Sequence, residues 1–211
     1  MKSTWLFDLD NTLHDANPHV FPHINRAMTD YLVRHLDLSE PEANEMRVRY
    51  WVRYGATLTG LMRHHGTDPH HFLWHTHQFP DLRQMVVFDR PLRAMLKRLP
   101  GDKIVFSNAP RHYTEAVLDL LGIRPLFRSV WSIERLRFVP KPKPEGFHRL
   151  LKAEGLHPAR CIMVEDSAAN LRTAKRLGMR TVLVSPDPRR PAGVDLRIES
   201  VLQLPRHLGK L

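Results

Sequence analysis

The sequence predicts an α/β fold built on a parallel sheet, and three observations carry that expectation. Short apolar runs alternate with helical patterns along most of the chain. A long stretch after the first apolar run is helical throughout and lacks any strand pattern. Polar and acidic residues gather just beyond the ends of the apolar runs, where open parallel sheets bind their ligands.

The elements follow in order. Runs of strand length stand at 4–7, 103–106, 130–131, 161–164 and 181–184. Between the later ones, "TEAVLDLLG" places Ala116, Val117, Leu120 and Leu121 on one helical face and stops at Gly122. "EGFHRLLKAEG" does the same with Phe147, Leu150 and Leu151 before Gly155. "SAANLRTAKRLG" opens on Ser167 as an N-cap, turns Leu171, Ala174 and Leu177 inward, and closes at Gly178. Strands alternating with helices imply a Rossmann-like sheet with helices on both faces. Residues 15–89 break the rhythm: Ile24, Met28, Tyr31 and Leu32, then Met46, Tyr50 and Leu58, then Leu61 and Met62 recur at helical spacing. They predict an all-helical cap inserted into a core made of 1–14 and 90–211.

Composition narrows the function classes. At 211 residues, with 42% hydrophobic and 26% charged residues, the chain can bury a substantial core and is not a disordered segment. A single cysteine excludes an intramolecular disulfide and a thiolate metal cluster, which fits a reducing compartment. No apolar run reaches the ~18 residues of a membrane span, and no signal-peptide pattern opens the sequence. A cytoplasmic location is expected. The net charge of +10 favours anionic ligands. Nucleic acid is the rival partner class, but the arginines are scattered, with no long basic run and no recognisable nucleic-acid-binding motif. Small phosphorylated substrates suit the same field.

The acidic pair in "TWLFDLDNTLHD" supplies the chemistry. Alternate residues of a strand point the same way, so Asp8 and Asp10 can face one cavity while Leu9 faces the core. Ser107 and Asn108 follow the second strand, Lys141 stands in the Pro-stiffened loop "VPKPKPEGF", and Glu165 and Asp166 end the fourth strand before a helix. Phosphate monoesters resist attack because nucleophile and target are both anionic. A cation held by carboxylates, with a lysine and hydroxyl donors, offsets that repulsion. One carboxylate can then act as nucleophile while the other moves protons.

These four segments, in this order, resemble the motifs of the haloacid dehalogenase superfamily of phosphatases, and the resemblance covers nearly the whole chain. It implies Asp8 as nucleophile, Asp10 as general acid and base, Ser107 and Asn108 as phosphate ligands, and Lys141 as charge stabiliser. It also implies Mg²⁺ held by Asp8, the main-chain carbonyl of Asp10 and Asp166, with Glu165 nearby. Lys143 competes with Lys141, and the spacing to Phe147 favours Lys141. Glu165 reads either as a metal ligand or as the partner of a base. Asn170 stands where many members carry a second acid, so it orients Asp166 or a metal-bound water.

Substrate choice falls to the cap. "RYWVRYGATLTGLMRHHG" is similar to the cap of the pyrimidine 5′-nucleotidases of this superfamily, which implies hydrolysis of nucleoside 5′-monophosphates such as UMP or CMP, with Tyr54, Gly55 and Thr57 as contacts. Phosphoglycolate or a sugar phosphate is the alternative substrate, and a phosphomutase a weaker one. The pairs His64-His65 and His70-His71 are adjacent rather than three or four apart, so they read as cap surface instead of a zinc site.

Overall fold

Six short strands make one parallel sheet: β1 (Thr4–Phe7), β2 (Lys103–Phe106), β3 (Ser129–Trp131), β4 (Cys161–Glu165), β5 (Arg180–Val184) and β6 (Leu196–Ile198). Their order is β3-β2-β1-β4-β5-β6, and every neighbouring pair is parallel. The structure is a computed structural model describing residues 3–210; residues 1, 2 and 211, assigned above to the core, lie outside the described residues. Five strands stand within a residue of their predicted bounds. The sixth was not anticipated, because three residues reading Leu-Arg-Ile at a sheet edge carry no period to detect.

The central strand β1 is buried at every position, as a strand covered on both faces must be. Its side chains divide by parity: Trp5 and Phe7 join one apolar cluster, and Leu6 joins the other. The first cluster takes Leu92, Met95 and Leu96 of α6 (Leu92–Arg98) and Val117 and Leu118 of α7 (Arg111–Leu120). The second takes Phe147, Leu150 and Leu151 of α8 (Pro144–Glu154) and Leu171 and Ala174 of α9 (Ala168–Arg176). Helices therefore cover both faces. One predicted face needs correction: α7 starts at Arg111, so its buried stripe is Tyr113, Thr114, Val117 and Leu118, followed by Leu121. Leu120, expected inside, is 39% exposed.

Five helices occupy the stretch after β1: α1 (Val20–Leu36), α2 (Glu40–Tyr54), α3 (Thr57–His65), α4 (Pro69–Thr76) and α5 (Leu82–Met85). Local chemistry sets their ends. Ser39 and Glu42 form a capping box at the start of α2, and Asp68 accepts from the His70 and His71 amides at the start of α4. Gly55, at φ +81°, ends α2 in a left-handed turn that a side chain would strain. Gly60 of α3 lets that helix close on Tyr50, since a Cβ there would stand 2.3 Å from the ring. Tyrosine–histidine hydrogen bonds link the helices in pairs: Tyr31 to His71 at 2.9 Å, Tyr50 to His65 at 2.8 Å and Tyr54 to His64 at 2.6 Å. Where the chain leaves the sheet and returns, the Asp15 amide donates to the Val87 carbonyl at 2.8 Å. Among the described residues no helix is long and apolar enough to cross a membrane.

Candidate active site

The order of the sheet puts a crossover at β1, the strand from which later connections leave in opposite directions, and ligands collect at the carboxyl ends of strands there. Asp8 is the first residue past β1, and its amide still bonds the Val164 carbonyl of β4 at 3.0 Å. Ser107 is the first past β2 and Glu165 the last of β4. Lys141 arrives from the loop before α8. Asn108 fixes that loop, because its Oδ1 accepts from the Lys141 amide at 2.8 Å and its Nδ2 donates to the Lys141 carbonyl at 3.1 Å. The side chain of Asn108, expected to bind phosphate, is thus engaged in holding the lysine.

At the centre, Lys141 is 2% exposed and donates through Nζ to Asp8 Oδ1 at 2.8 Å and to Glu165 Oε2 at 2.7 Å. Lys143, its sequence competitor, lies exposed at the start of α8. The other oxygen of Glu165 accepts from the Ser167 amide at 3.2 Å, so both oxygens of this carboxylate have partners. The pairing with Lys141 is present, and Glu165 also belongs to the carboxylate group that could hold a metal. Ser107 accepts from the Ala109 amide at 3.0 Å, which leaves its hydroxyl proton available to donate. Asn170 is buried in the first turn of α9 and lines the same cavity.

Asp10 stands apart from the lysine. Its Oδ1 accepts from the Tyr113 hydroxyl at 2.6 Å and meets His14 Nε2 at 2.9 Å, while Tyr113 and His14 are themselves 3.3 Å apart. Neither Tyr113 nor His14 was foreseen. The spacing from Asp10 to His14 was visible but had no strand or helix to give it meaning, and Tyr113 depended on locating the true start of α7.

The electrostatics follow from burial. Burial first, then repulsion from Glu165, push the Asp8 carboxyl up to about 8 despite the ammonium beside it. Burial also raises Glu165, to about 7, against the pull of Lys141. Burial alone would lower Lys141, but Asp8 and Glu165 overcome it and hold the amine charged. Burial and the Asp10 charge keep the Tyr113 phenol protonated. Asp8, Glu165 and Asp166 offer carboxylate oxygens all within 4.8 Å of one another, against the single ammonium of Lys141. When all are ionised, this cluster is short of positive charge, and its donors are all oxygen. A hard dication suits that deficit, and Asp8, Glu165 and Asp166 are the residues that could hold it.

Above these residues lies a cavity of about 540 Å³, within the roughly 300–1,000 Å³ of small-molecule sites. Core residues Asp8, Asp10, Ser107 and Lys141 line one side; Gly55, Thr57, Phe72 and Leu73 from the helical stretch line the other. Tyr54, expected as a contact, does not line it: its ring turns outward to His64, because Gly55 reverses the chain immediately after it. Thr57 spends its hydroxyl proton on the Arg47 carbonyl at 3.0 Å. His77, also on the wall, was not foreseen; burial lowers it to about 4, so it stays neutral.

The sequence matches the description of haloacid dehalogenase-like hydrolases over residues 3–178. The chain belongs to that family. Among curated relatives of this hydrolase, phosphate metabolism protein 8 of Saccharomyces cerevisiae is 24% identical, over 86% of this chain and 61% of that protein. The chain therefore spans about three fifths of the yeast protein's length. A phosphoglycolate phosphatase of Pseudomonas putida is 25% identical, over 84% of this chain and 67% of that one. Among solved structures, a HAD phosphatase from Thermococcus onnurineus superposes with a TM-score of 0.70 at 21% identity, covering 100% of this chain and 99% of the other. That likeness establishes the shared α/β fold.

Proposed function

We propose that this hydrolase is a Mg²⁺-dependent phosphomonoesterase acting through an aspartyl phosphate, with nucleoside 5′-monophosphates, UMP and CMP foremost, as substrates. The observation carrying the reading is Lys141 bridging Asp8 and Glu165 beside Asp166, at the foot of a cavity shared with the helical stretch 15–89, which serves as the cap.

Asp8 attacks phosphorus, forming a carboxyl–phosphoryl bond as the bond to the ester oxygen breaks. Asp10, turned by Tyr113 and His14 so that Oδ1 is occupied, delivers a proton to the departing alkoxide through its other oxygen. Lys141 and the Ser107 hydroxyl hold the phosphoryl oxygens. Asp10 then takes a proton from water, which attacks phosphorus and releases inorganic phosphate and Asp8. When bound, Mg²⁺ supplies the positive charge that lets an ionised Asp8 approach an anionic ester.

Cavity size favours a nucleotide over a two-carbon acid: about 540 Å³ walled in part by Phe21, Ile24, Phe72 and Leu73 leaves room for a base. The second reading, phosphoglycolate, is favoured by the Pseudomonas putida relative that bears that name. A phosphate-release screen across UMP, CMP, phosphoglycolate and ribose 5-phosphate, with Mg²⁺ or EDTA, separates the two. Asp8→Asn is expected to abolish release from every substrate. Full activity in that variant rules out the aspartyl-phosphate route.

A further inference from the structure

Arg47 is the cation of the cavity wall for which the proposed chemistry has no use. It lies on α2 and lines the cavity that Asp8 and Lys141 also line. Arg124, also partly buried, pairs with Glu115, whereas Arg149 and Arg180, like Arg47, meet no carboxylate among the described residues but lie away from the cavity wall. Arg47 has no carboxylate partner among the described residues, and its one side-chain hydrogen bond, from Nη1 to Asn25 Oδ1 at 2.9 Å, is to a neutral amide on α1. Its Nε is buried and has no hydrogen-bond partner. Burial without a compensating acid lowers its pKa from the ordinary value. With Nη1 turned to Asn25 and Nε enclosed, Nη2 is the guanidinium nitrogen left to meet a ligand.

Trp51 is one helical turn further along the same face of α2. It also lines the cavity, yet it is 62% exposed, beside Val48. An indole left open on a cavity wall is a stacking surface for a flat ring, since any base presents a π face.

We infer that Arg47, oriented by Asn25, and Trp51 form the base subsite of this enzyme: the indole stacks on the ring of a pyrimidine nucleotide, and Nη2 of the guanidinium donates to its C2 carbonyl. The inference rests on the nucleotidase reading above and deepens it. Uracil and cytosine share the C2 carbonyl, whereas adenine carries no carbonyl at all. One acceptor therefore accounts for joint use of UMP and CMP and discriminates against AMP, because the buried donor then loses its partner.

Steady-state kinetics on UMP, CMP, AMP and ribose 5-phosphate test it. Arg47→Met is expected to reduce the kcat/KM ratio of UMP to AMP by about 10- to 100-fold, chiefly through KM, as loss of a charged hydrogen bond does. Asn25→Ala, which leaves the guanidinium in place but unoriented, shifts the ratio in the same direction by less. Trp51→Leu lowers UMP, CMP and AMP together relative to ribose 5-phosphate, by about 10-fold. Wild-type preference for UMP that survives Arg47→Met unchanged overturns the base subsite alone. Wild type that treats UMP and ribose 5-phosphate alike, or works only on phosphoglycolate, overturns the nucleotidase reading and the subsite with it.

Discussion

The Tyr113 hydroxyl stands 2.6 Å from Asp10 Oδ1, a contact joining residues 103 positions apart. It is the shortest of the three links among Tyr113, Asp10 and His14, and the phenol is held protonated, so it acts as a fixed donor. Tyr113→Phe keeps the ring and its packing against Phe79 but frees the carboxylate to rotate. Since a displacement of about 1 Å costs on the order of 100-fold, kcat is expected to fall about 10- to 100-fold with KM little changed. Stopped-time phosphate release over a substrate series measures it; an unchanged kcat means the hydrogen bond has no part in proton transfer.

Lys141 neutralises two buried acids at once. Lys141→Met leaves Asp8 and Glu165 facing each other without a cation, and breaking a buried pair in this way costs about 3–5 kcal/mol. The loss is expected to be larger at pH 8, where both acids are more fully ionised beside the lysine, than at pH 6, where they already hold protons. Urea midpoints at the two pH values provide the comparison, and a loss independent of pH speaks against the coupling.

Asp8 also sets a pH dependence of stability. In the unfolded chain its carboxyl ionises near the ordinary 3.8, whereas in the folded, metal-free protein it keeps its proton up to about 8. Between roughly pH 4 and 8 the folded state therefore binds more protons, and stability from this group falls as pH rises. Glu165 contributes in the same direction up to about 7. Mg²⁺ at the proposed site would require the ionised acids, so its binding would release protons and its protection would grow with pH. Melting curves from pH 6 to 9 in EDTA should descend, with the gap to the Mg²⁺ curves widening. Parallel curves would contradict this assignment.

Gly60 tests the packing of α3 on α2. A methyl group there meets the Tyr50 ring at 2.3 Å, and that ring is tied by its hydroxyl to His65 at 2.8 Å. Gly60→Ala is expected to cost about 1–3 kcal/mol through overpacking. Denaturant titration gives the number; a neutral result means the ring has room to move.

The strands were legible because a doubly covered parallel sheet demands continuous apolar runs, and β1, β2 and β4 are buried at every position. Asp8, Ser107, Lys141 and Asp166 could be found because each follows a strand end or opens a loop of distinctive composition. What stayed hidden depends on side-chain direction. Tyr54 and Gly55 are neighbours in sequence, yet only Gly55 lines the cavity, since the positive φ at Gly55 turns the chain between them. Arg47 and Trp51 reach the cavity wall only through the packing of α2 on α1 and α3, which no residue pattern announces. Asn108 was expected to bind phosphate, and only the geometry assigns its amide to the loop of Lys141.

The hydrogen bond from Asp15 to Val87 brings the two ends of a seventy-odd-residue excursion together. For the sheet, that excursion is a closed loop, and the entropy of closing a loop grows only with the logarithm of its length. The chain between these two residues can therefore change in length at little entropic cost to the sheet, as long as Val20 and Ile24 keep their packing in the cluster of Trp5 and Phe7. On the proposed reading of this stretch as the cap, the contiguous gene segment bounded by Asp15 and Val87 is the unit whose transplantation would change selectivity.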